Sequence, residues 1–424
     1  MSFNYEEVAG NLDDRAAYAQ INNTPWYQDA VYETFSEAEY ERRYTLLRQK
    51  MIERGVGCVI APGSGNNWGF GGALVWLSGL RLREVALAQY VLFPLEGEPT
   101  LICGVDGPFL ETVRRSAFIK DVRSSQEGQF GNALADRIEE LGLQTSRIGL
   151  LECSPGRNLD VMPYNHFQTL QARLPHVEFE LLRGLYHELL YIKSPEEIAA
   201  IERAGALLDQ AYEAMCQAAC PGATEAEVMA AAAEAMIRGG GTPGLLIIGS
   251  TPSSNPALPF GNTRPSRRKL QPGDVIVNEL SVGILGYTAQ FGQPICVGDP
   301  APPVRKFWDE VVKPGFNLLA EYMRPGVTVE ALQEAGRWYN DHGCQGRPLL
   351  LHGMDITTSR PRIGRERIIA YDFERVFKPG MTLMLEPDAI TADGLLGLFV
   401  GRTFVITETG GYSVSQTPVD LTIV

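Results

Sequence analysis

Two apolar strands joined by a glycine-containing turn are predicted by the stretch Gly273-Asp-Val-Ile-Val-Asn-Glu-Leu-Ser-Val-Gly-Ile-Leu-Gly-Tyr-Thr-Ala-Gln-Phe-Gly292. We expect the strands at 275–280 and 287–295, on either side of the turn. Each strand carries one embedded polar side chain, Glu279 in the first and Gln290 in the second. A buried polar side chain costs free energy unless it has a partner. Two of them in one hairpin therefore indicate a functional site.

Two polar residues later in the chain have the same character. His352 follows three leucines, and Glu386 ends the run Met-Thr-Leu-Met-Leu-Glu. In both cases a polar group stands at the end of an apolar segment that is typical of a buried strand. We therefore expect His352 and Glu386 to join Glu279 and Gln290 in one site.

Length and composition limit the classes of protein to consider. A chain of 424 residues is too long for one ordinary core and predicts two domains. Its apolar content of 45% and charged content of 21% are typical of a globular protein. The net charge of -14 argues against nucleic acid and anionic membranes as partners. Seven scattered cysteines predict reduced thiols in the cytoplasm, and we find neither a signal pattern nor an apolar run of about 20 residues.

The order of predicted elements divides the chain into three segments. Residues 1–35 are aperiodic and are interpreted as an arm. Residues 36–187 begin with a helix capped by Ser36 and then alternate strands with helices, which predicts an α/β layer domain. Residues 188–424 begin with a helix capped by Ser194, with Pro195 at its first position. Paired helices and mostly antiparallel strands in this last segment predict an α+β domain.

Several short motifs carry a family resemblance. They are Tyr191-Ile-Lys-Ser-Pro-Glu-Glu-Ile, Lys269-Leu-Gln-Pro-Gly-Asp-Val, Gly286-Tyr, Lys378-Pro-Gly-Met-Thr-Leu-Met-Leu-Glu-Pro and Val405-Ile-Thr-Glu-Thr-Gly-Gly. In this order and spacing the chain resembles the pita-bread fold family of methionine aminopeptidase, aminopeptidase P, prolidase and creatinase, from about residue 36 onward. The resemblance implies a C-terminal pita-bread catalytic domain with a smaller, creatinase-type α/β domain before it.

The resemblance also implies where a metal centre would lie. The family's peptidases hold two metal ions with two Asp, one His and two Glu side chains, and the ions polarise a bridging water. The corresponding positions in this chain are, in order, Glu279, Gln290, His352, Glu386 and Gly401. Two of the five ligands are thus unchanged, one is lengthened, one is neutral and one is absent.

This altered set predicts a site without paired metal ions. Hard divalent ions need several anionic oxygens, and Glu279, Glu386, the neutral Gln290 and one imidazole supply too few. Arg402, next to the missing ligand, would also repel cations. We therefore expect no metal and no cofactor, while a single weakly held ion stays open as an alternative.

Creatinase is the family precedent for C–N hydrolysis without metal, and it guides the predicted roles. We expect His352 to act as general acid and base. Glu279 and Glu386 would bind a cationic substrate group or water, and Gln290 would fix a carbonyl or water. Phe260 stands where the family has a substrate-facing histidine, so the substrate is not expected to be creatine. The prediction is a metal-independent hydrolase or lyase that cleaves a C–N bond in a small nitrogen-containing molecule.

The predicted substrate-binding residues include a basic segment. Arg360 and Arg362 follow His352 closely and suit an anionic substrate group, although a solvated loop that pairs with surface acids is the alternative. Tyr287 and Arg402 are assigned to substrate binding together with Gln290. The pocket is expected to be apolar, lined by Phe260, Phe291, Phe399 and Leu396.

Other interpretations remain open at this level. The chain could be a metal-dependent Xaa-Pro peptidase-like enzyme or lyase with a single-ion site, or a binding protein without catalysis. His352 could be a core histidine, and Glu279 and Glu386 could form a buried ionic network with Arg402. The family resemblance also implies a homodimer acting on a small molecule, with no nucleic-acid or membrane partner.

Overall fold

The computed structural model describes residues 32–64, 72–81, 88–125, 127–151, 162–345, 349–357, 360–365 and 374–424. Residues 1–31 of the predicted arm lie outside this set. The described residues form two compact units that divide between Leu189 and Leu190; the sequence placed this division between residues 187 and 188. Within the described ranges, no helix is long and apolar enough to cross a membrane.

The first unit alternates helices and strands. Its helices are α1 (Glu37–Arg54), α2 (Gly72–Ser78), α3 (Gly107–Ser116), α4 (Phe130–Glu140), α5 (Tyr164–Arg173) and α6 (Leu185–Leu190). Its strands are β1 (Cys58–Ser64), β2 (Ala88–Pro94), β3 (Thr100–Cys103), β4 (Asp121–Ser124), β5 (Arg147–Leu151) and β6 (Glu178–Leu182). The hydroxyl of Ser36 accepts from the Glu39 amide and begins α1, as predicted.

These strands form one mixed six-stranded sheet in the order β4-β3-β2-β1-β5-β6. Apolar residues of the central strands, such as Ile60, Leu92 and Ile148, pack against α4 and α5. On α1, the Tyr44 ring meets Phe93 edge-on at 5.0 Å. The predicted α/β layer domain is confirmed.

The second unit contains longer helices and most of the strands. Its helices are α7 (Pro195–Ala218), α8 (Glu225–Arg238), α9 (Pro302–Phe307), α10 (Lys313–Ala320), α11 (Val329–Ala335) and α12 (Trp338–Asp341), with a π-helical turn at Trp308–Val312 between α9 and α10. Its strands are β7 (Thr242–Pro252), β8 (Asp274–Ile284), β9 (Tyr287–Gly292), β10 (Ile295–Val297), β11 (Leu349–Gly353), β12 (Arg362–Gly364), β13 (Thr382–Leu385), β14 (Asp388–Ile390), β15 (Gly397–Phe399), β16 (Gly401–Ile406), β17 (Gly411–Ser413) and β18 (Thr422–Ile423).

A ten-stranded, mostly antiparallel sheet dominates this unit. Its main path is β12-β11-β13-β16-β9-β8-β10-β18, with β7 beside β8 and β17 beside β16. The hairpin predicted from the sequence is β8–β9, and its turn residues Leu285 and Gly286 both have positive φ (53° and 85°). This conformation suits the tight turn of a two-residue hairpin. The second strand stops at Gly292, earlier than predicted, and β10 begins after Pro294.

Helix α7 packs against β8 and β9 and covers one face of the sheet. It begins with a capping box, in which Ser194 and Glu197 exchange side-chain and backbone hydrogen bonds. The predicted Ser194 cap is therefore confirmed. The opposite face of the sheet carries the polar residues singled out in the sequence, and the predicted α+β class is confirmed.

Candidate functional site

Four residues predicted from the sequence lie together on one face of the ten-stranded sheet. Glu279 comes from β8, Gln290 from β9, His352 from β11, and Glu386 directly follows β13. All four are buried, with exposed fractions of 3–6%. Because side chains alternate along a strand, adjacent strands bring them to one side of the sheet. We call these four residues the polar cluster.

The amide of Gln290 lies between the two carboxylates of the polar cluster. Its Nε2 donates a hydrogen bond to Oε1 of Glu279 and lies 3.4 Å from Oε2 of Glu386. An amide NH₂ has two hydrogens, and ionised carboxylates only accept. The neutral side chain of Gln290 can therefore donate one hydrogen to Glu279 and the other to Glu386.

The tautomer of His352 follows from its own backbone contact. Nδ1 lies 2.8 Å from the carbonyl oxygen of Gly353, which can only accept, so Nδ1 carries a hydrogen. Nε2 lies 3.3 Å from Oε1 of Glu386. This second contact is favourable only when either the imidazole or the carboxyl group carries a further proton. His352 and Glu386 therefore form a pair that can hold and release one proton.

The segment after His352 is fixed by a buried ion pair. Nζ of Lys193 lies 2.9 Å from Oδ2 of Asp355, and both side chains are almost completely buried. Oδ1 of Asp355 accepts from the Thr357 amide at 2.9 Å. Asp355 thus caps the loop that follows His352. Lys193 was not predicted, although it stands inside the Tyr191-Ile-Lys-Ser-Pro motif.

An apolar wall lies beside the polar cluster. Its buried members are Val277, Met354, Met384 and Phe399, and the partly buried Leu258 and Phe260 pack against them. Met384 is opposite His352 in the β11–β13 ladder, and Val277 is two residues before Glu279 on β8. These registers place the wall on the cluster face. The rings of Phe260 and Phe399 meet at right angles, with centroids 5.5 Å apart.

The residues of the site do not fit the paired metal ions that the resemblance implies. The fifth ligand position is Gly401, where an added Cβ would lie 2.3 Å from Cε of Met384 and 3.1 Å from Cε1 of Phe399. The apolar wall therefore fills the space of the missing carboxylate. Gln290 turns an amide nitrogen, which repels cations, toward both Glu279 and Glu386. Within the described residues, no group of three or more His, Cys, Asp or Glu could hold a metal ion.

Two residues predicted to bind substrate point to the other face of the sheet. The Tyr287 hydroxyl donates to Oε1 of Glu197 at the start of α7. The guanidinium of Arg402 lies 4.0 Å from the ring centroid of Phe291. Tyr287 and Phe291 alternate with Gln290 on β9, so strand geometry separates them from the polar cluster. The assignment of Tyr287, Phe291 and Arg402 to the site is corrected.

Arg402 also does not join Glu279 and Glu386 in an ionic network. Its Nη1 donates to the carbonyl oxygens of Gly292 and Gly401 at 2.8 and 2.9 Å. Its Nη2 donates to Oε1 of Gln293 and, at 3.3 Å, to the carbonyl oxygen of Thr417. All four acceptors are neutral, and burial lowers the pKa of Arg402 to about 10.

The two predicted arginines after His352 differ in position. Arg362 on β12 is directly opposite His352 in the β11–β12 ladder, which places both side chains on the same face. Arg360 precedes β12 and is half-buried. Two further arginines follow in the sequence: Arg365 is buried, and Arg367 lies outside the described residues.

A ten-stranded, mostly antiparallel sheet with helix α7 on one face and the buried polar cluster on the other defines a pita-bread protein whose metal-ligand set is altered. Comparison with known proteins agrees. Residues 199–408 match metallopeptidase family M24. The chain therefore belongs to the pita-bread fold family of prolidases and aminopeptidases P, and the resemblance noted in the sequence is confirmed.

Two sequence relatives and one solved structure illustrate the similarity. The probable dipeptidase PepE of Mycobacterium bovis is 26% identical over 404 residues, which cover 92% of this chain and 98% of the relative. The Xaa-Pro dipeptidase of Pyrococcus furiosus is 29% identical over 295 residues, covering 68% and 78%. The X-Pro aminopeptidase structure from Thermotoga maritima, 19% identical, superposes with a TM-score of 0.74 over 90% of this chain and 99% of that one. Its low identity makes it evidence for the fold alone.

Proposed function

We propose that this protein is a hydrolase that cleaves the C–N bond of a small amide without a metal ion. His352 is the general acid and base, and Glu279 and Glu386 bind substrate or water. The observation that carries this proposal is the contact between Nε2 of His352 and Oε1 of Glu386 at 3.3 Å in a buried site. Such a pair holds one exchangeable proton, which is what amide hydrolysis requires of a protein side chain.

The proposed reaction uses that proton twice. Water attacks the carbonyl carbon of the amide and gives a proton to the basic member of the His352–Glu386 pair. The C–N bond then breaks, and the imidazolium of His352 gives a proton to the leaving nitrogen. The products are a carboxylic acid and an amine. Throughout, the Nδ1–H bond to the Gly353 carbonyl holds the ring so that Nε2 handles the proton.

The substrate class follows more from the relatives than from the site. The sequence suggested a molecule other than an ordinary peptide, whereas the relatives named above are dipeptidases. An amide the size of a dipeptide is compatible with the sequence prediction and with the relatives. Its apolar side chain would pack against Met384 and Phe399. Its carboxylate would meet Arg362, opposite His352, with Arg360 as a further candidate.

A second candidate is a metal-dependent dipeptidase-like enzyme with one ion. The relatives favour it, because the matched family is one of metallopeptidases. The site argues against it, because the carboxylate missing at Gly401 cannot be restored without moving Met384. A binding protein without catalysis is the third possibility and requires the polar cluster to be inert toward every substrate tested.

The experiment that separates these candidates is a turnover screen of chelator-treated protein. The panel contains Xaa-Pro and other dipeptides, N-acyl amino acids, cyclic amides and amidines. We expect hydrolysis of at least one class with chelator present and its loss in a His352→Ala variant. The control is His342→Ala, because His342 is exposed and its ring contacts are with Trp338: it stacks on the indole, and Nδ1 lies 2.7 Å from the Trp338 carbonyl oxygen. Full activity of His352→Ala would refute the assigned role, and activity only after adding divalent ions would support the second candidate.

A homodimer in the cytoplasm stays a prediction. Sedimentation equilibrium tests the dimer, and a strictly monomeric profile would contradict it.

A further inference from the structure

Glu279 and Glu386 form an unusual pair, since two buried carboxylates approach the same amide nitrogen. Like charges in a buried site repel unless a donor or cation lies between them. In this chain the group between them is the NH₂ of Gln290. We infer that Gln290 is a positioning residue that replaces the metal ions of the family: its amide holds the two carboxylates in the arrangement that cations would otherwise impose.

The amide is aimed at the carboxylates by a buried hydroxyl on the neighbouring strand. Oγ1 of Thr403 on β16 accepts from the backbone N–H of Gln290 at 2.9 Å and donates to the carbonyl oxygen of the same residue at 3.0 Å. Thr403 is completely buried. Both backbone groups of Gln290 are thus tied to one side chain, which fixes the direction in which its amide extends. Thr403 is a second positioning residue, acting through Gln290.

The position of the apolar wall agrees with this role of Gln290. If Gln290 replaces the ions, the space of the fifth ligand has no function and can be filled. Met384 and Phe399 fill it beside Gly401, and the Thr403 hydroxyl lies 3.7 Å from the Met384 sulfur. The inference deepens the proposed function, because it concerns the same site. It can be tested without substrate.

The test compares two isosteric substitutions, Gln290→Glu and Gln293→Glu. The first removes the bridging donor and places a third carboxylate against Glu279 and Glu386. We expect its melting temperature to fall by about 5 °C or more and to recover by at least half when Mn²⁺ is added at millimolar concentration. Gln293 is also buried, but its Oε1 accepts from Arg402. A carboxylate there gains an ion pair, so this control variant should show no response to Mn²⁺.

A wild-type measurement accompanies the two variants. We expect no shift in the melting temperature of wild type with Mn²⁺, Co²⁺ or Zn²⁺, and elemental analysis should find no stoichiometric ion. If Gln290→Glu does not fold, Gln290→Met removes the donors without adding charge and should acquire the same stabilisation by Mn²⁺.

Two results would overturn the inference. One is a stoichiometric ion on wild type whose stabilisation disappears in His352→Ala. The other is a folded Gln290→Glu protein as stable as wild type and insensitive to Mn²⁺. Because these readouts need no turnover, a failed activity screen would count against the proposed function alone. A failed ion response would count against the role of Gln290 alone.

Discussion

Two buried carboxylate sites in the second unit differ in how their oxygens are satisfied. Glu225, at the start of α8, accepts four hydrogen bonds from neutral donors. They come from the backbone and hydroxyl groups of Ser250, at 2.8 and 2.6 Å, and of Ser266, at 2.9 and 2.5 Å. Burial raises the pKa of Glu225, and these hydrogen bonds outweigh it, so the pKa is lowered. The hydrogen bonds therefore stabilise the ionised form of Glu225.

Glu279 and Glu386 have a different environment from Glu225. Both approach the side-chain amide of Gln290, and Oε1 of Glu386 also lies 3.3 Å from Nε2 of His352. Glu386 thus contacts a side chain that can carry a proton, whereas the four hydrogen-bond donors to Glu225 are neutral. Burial is therefore common to both sites, and the type of partner around each carboxylate distinguishes them.

The largest expected effect comes from Glu386→Gln. The amide is isosteric but cannot take a proton, so we expect turnover to fall about 10²–10⁴-fold. Steady-state rates on the best substrate of the panel measure this. The melting temperature should remain close to that of wild type, since the new amide oxygen can still accept from Gln290 and no like charge remains opposite Glu279. Unchanged turnover would show that Glu386 takes no part in the reaction.

The matching substitution Glu225→Gln should lower stability and leave turnover unchanged. In Glu225→Gln the side-chain NH₂ faces the backbone N–H of Ser250 or Ser266, which can only donate, so that buried N–H loses its acceptor. We expect a loss of about 2–3 kcal/mol in the free energy of unfolding with turnover unchanged, measured by urea denaturation and rate assays on one preparation. A loss of turnover in the folded variant would contradict the distinction between Glu225 and the Glu279–Glu386 pair.

A smaller effect is expected from Gly401→Ala. The added methyl group would lie 2.3 Å from Cε of Met384, but that side chain is flexible. We expect a cost of about 1–2 kcal/mol in the free energy of unfolding. Met384→Ala in the same chain should relieve it, so that the two substitutions are coupled in a double-mutant cycle. Additive effects would mean that Met384 does not fill the fifth-ligand space.

The smallest effect concerns acid stability. Because the pKa of Glu225 is lowered in the folded state, its contribution is present above its ordinary value near 4.5 and is lost as the pH falls through the folded value. Glu225→Gln should therefore flatten the decline of stability below that pH. Urea titrations of both proteins between neutral and acidic pH measure it, and parallel curves would contradict the assignment.

Much of the fold was predictable because its signals are local. Caps at Ser36 and Ser194, the glycine turn after β8 and the apolar runs all act over a few residues. The presence of Glu279 and Gln290 in one hairpin followed from the same local pattern.

The composition of the site was predictable only in part. Tyr287 was assigned to substrate binding together with Gln290, although strand alternation puts it on the α7 side of β9, away from Gln290. Arg402 was misplaced for a related reason. Its orientation depends on pairing with Phe291 across β9 and β16, which are separated by more than 100 residues in the chain.

Some contributors left no readable signal in the sequence. Thr403 and Met384 matter because β16 and β13 bring them next to Gln290 and Gly401. Such contacts depend on the order of strands in the sheet and not on any spacing along the chain. Lys193 could have been noted from its motif, but its partner Asp355 could not.

The most direct test measures metal content and turnover on one sample. Purified protein is dialysed against chelator, analysed for transition metals, and assayed on the panel with and without added ions. A metal-independent site predicts far less than one ion per chain and an unchanged rate under every condition. An ion bound in stoichiometric amount, whose removal abolishes turnover and whose return restores it, would contradict the account.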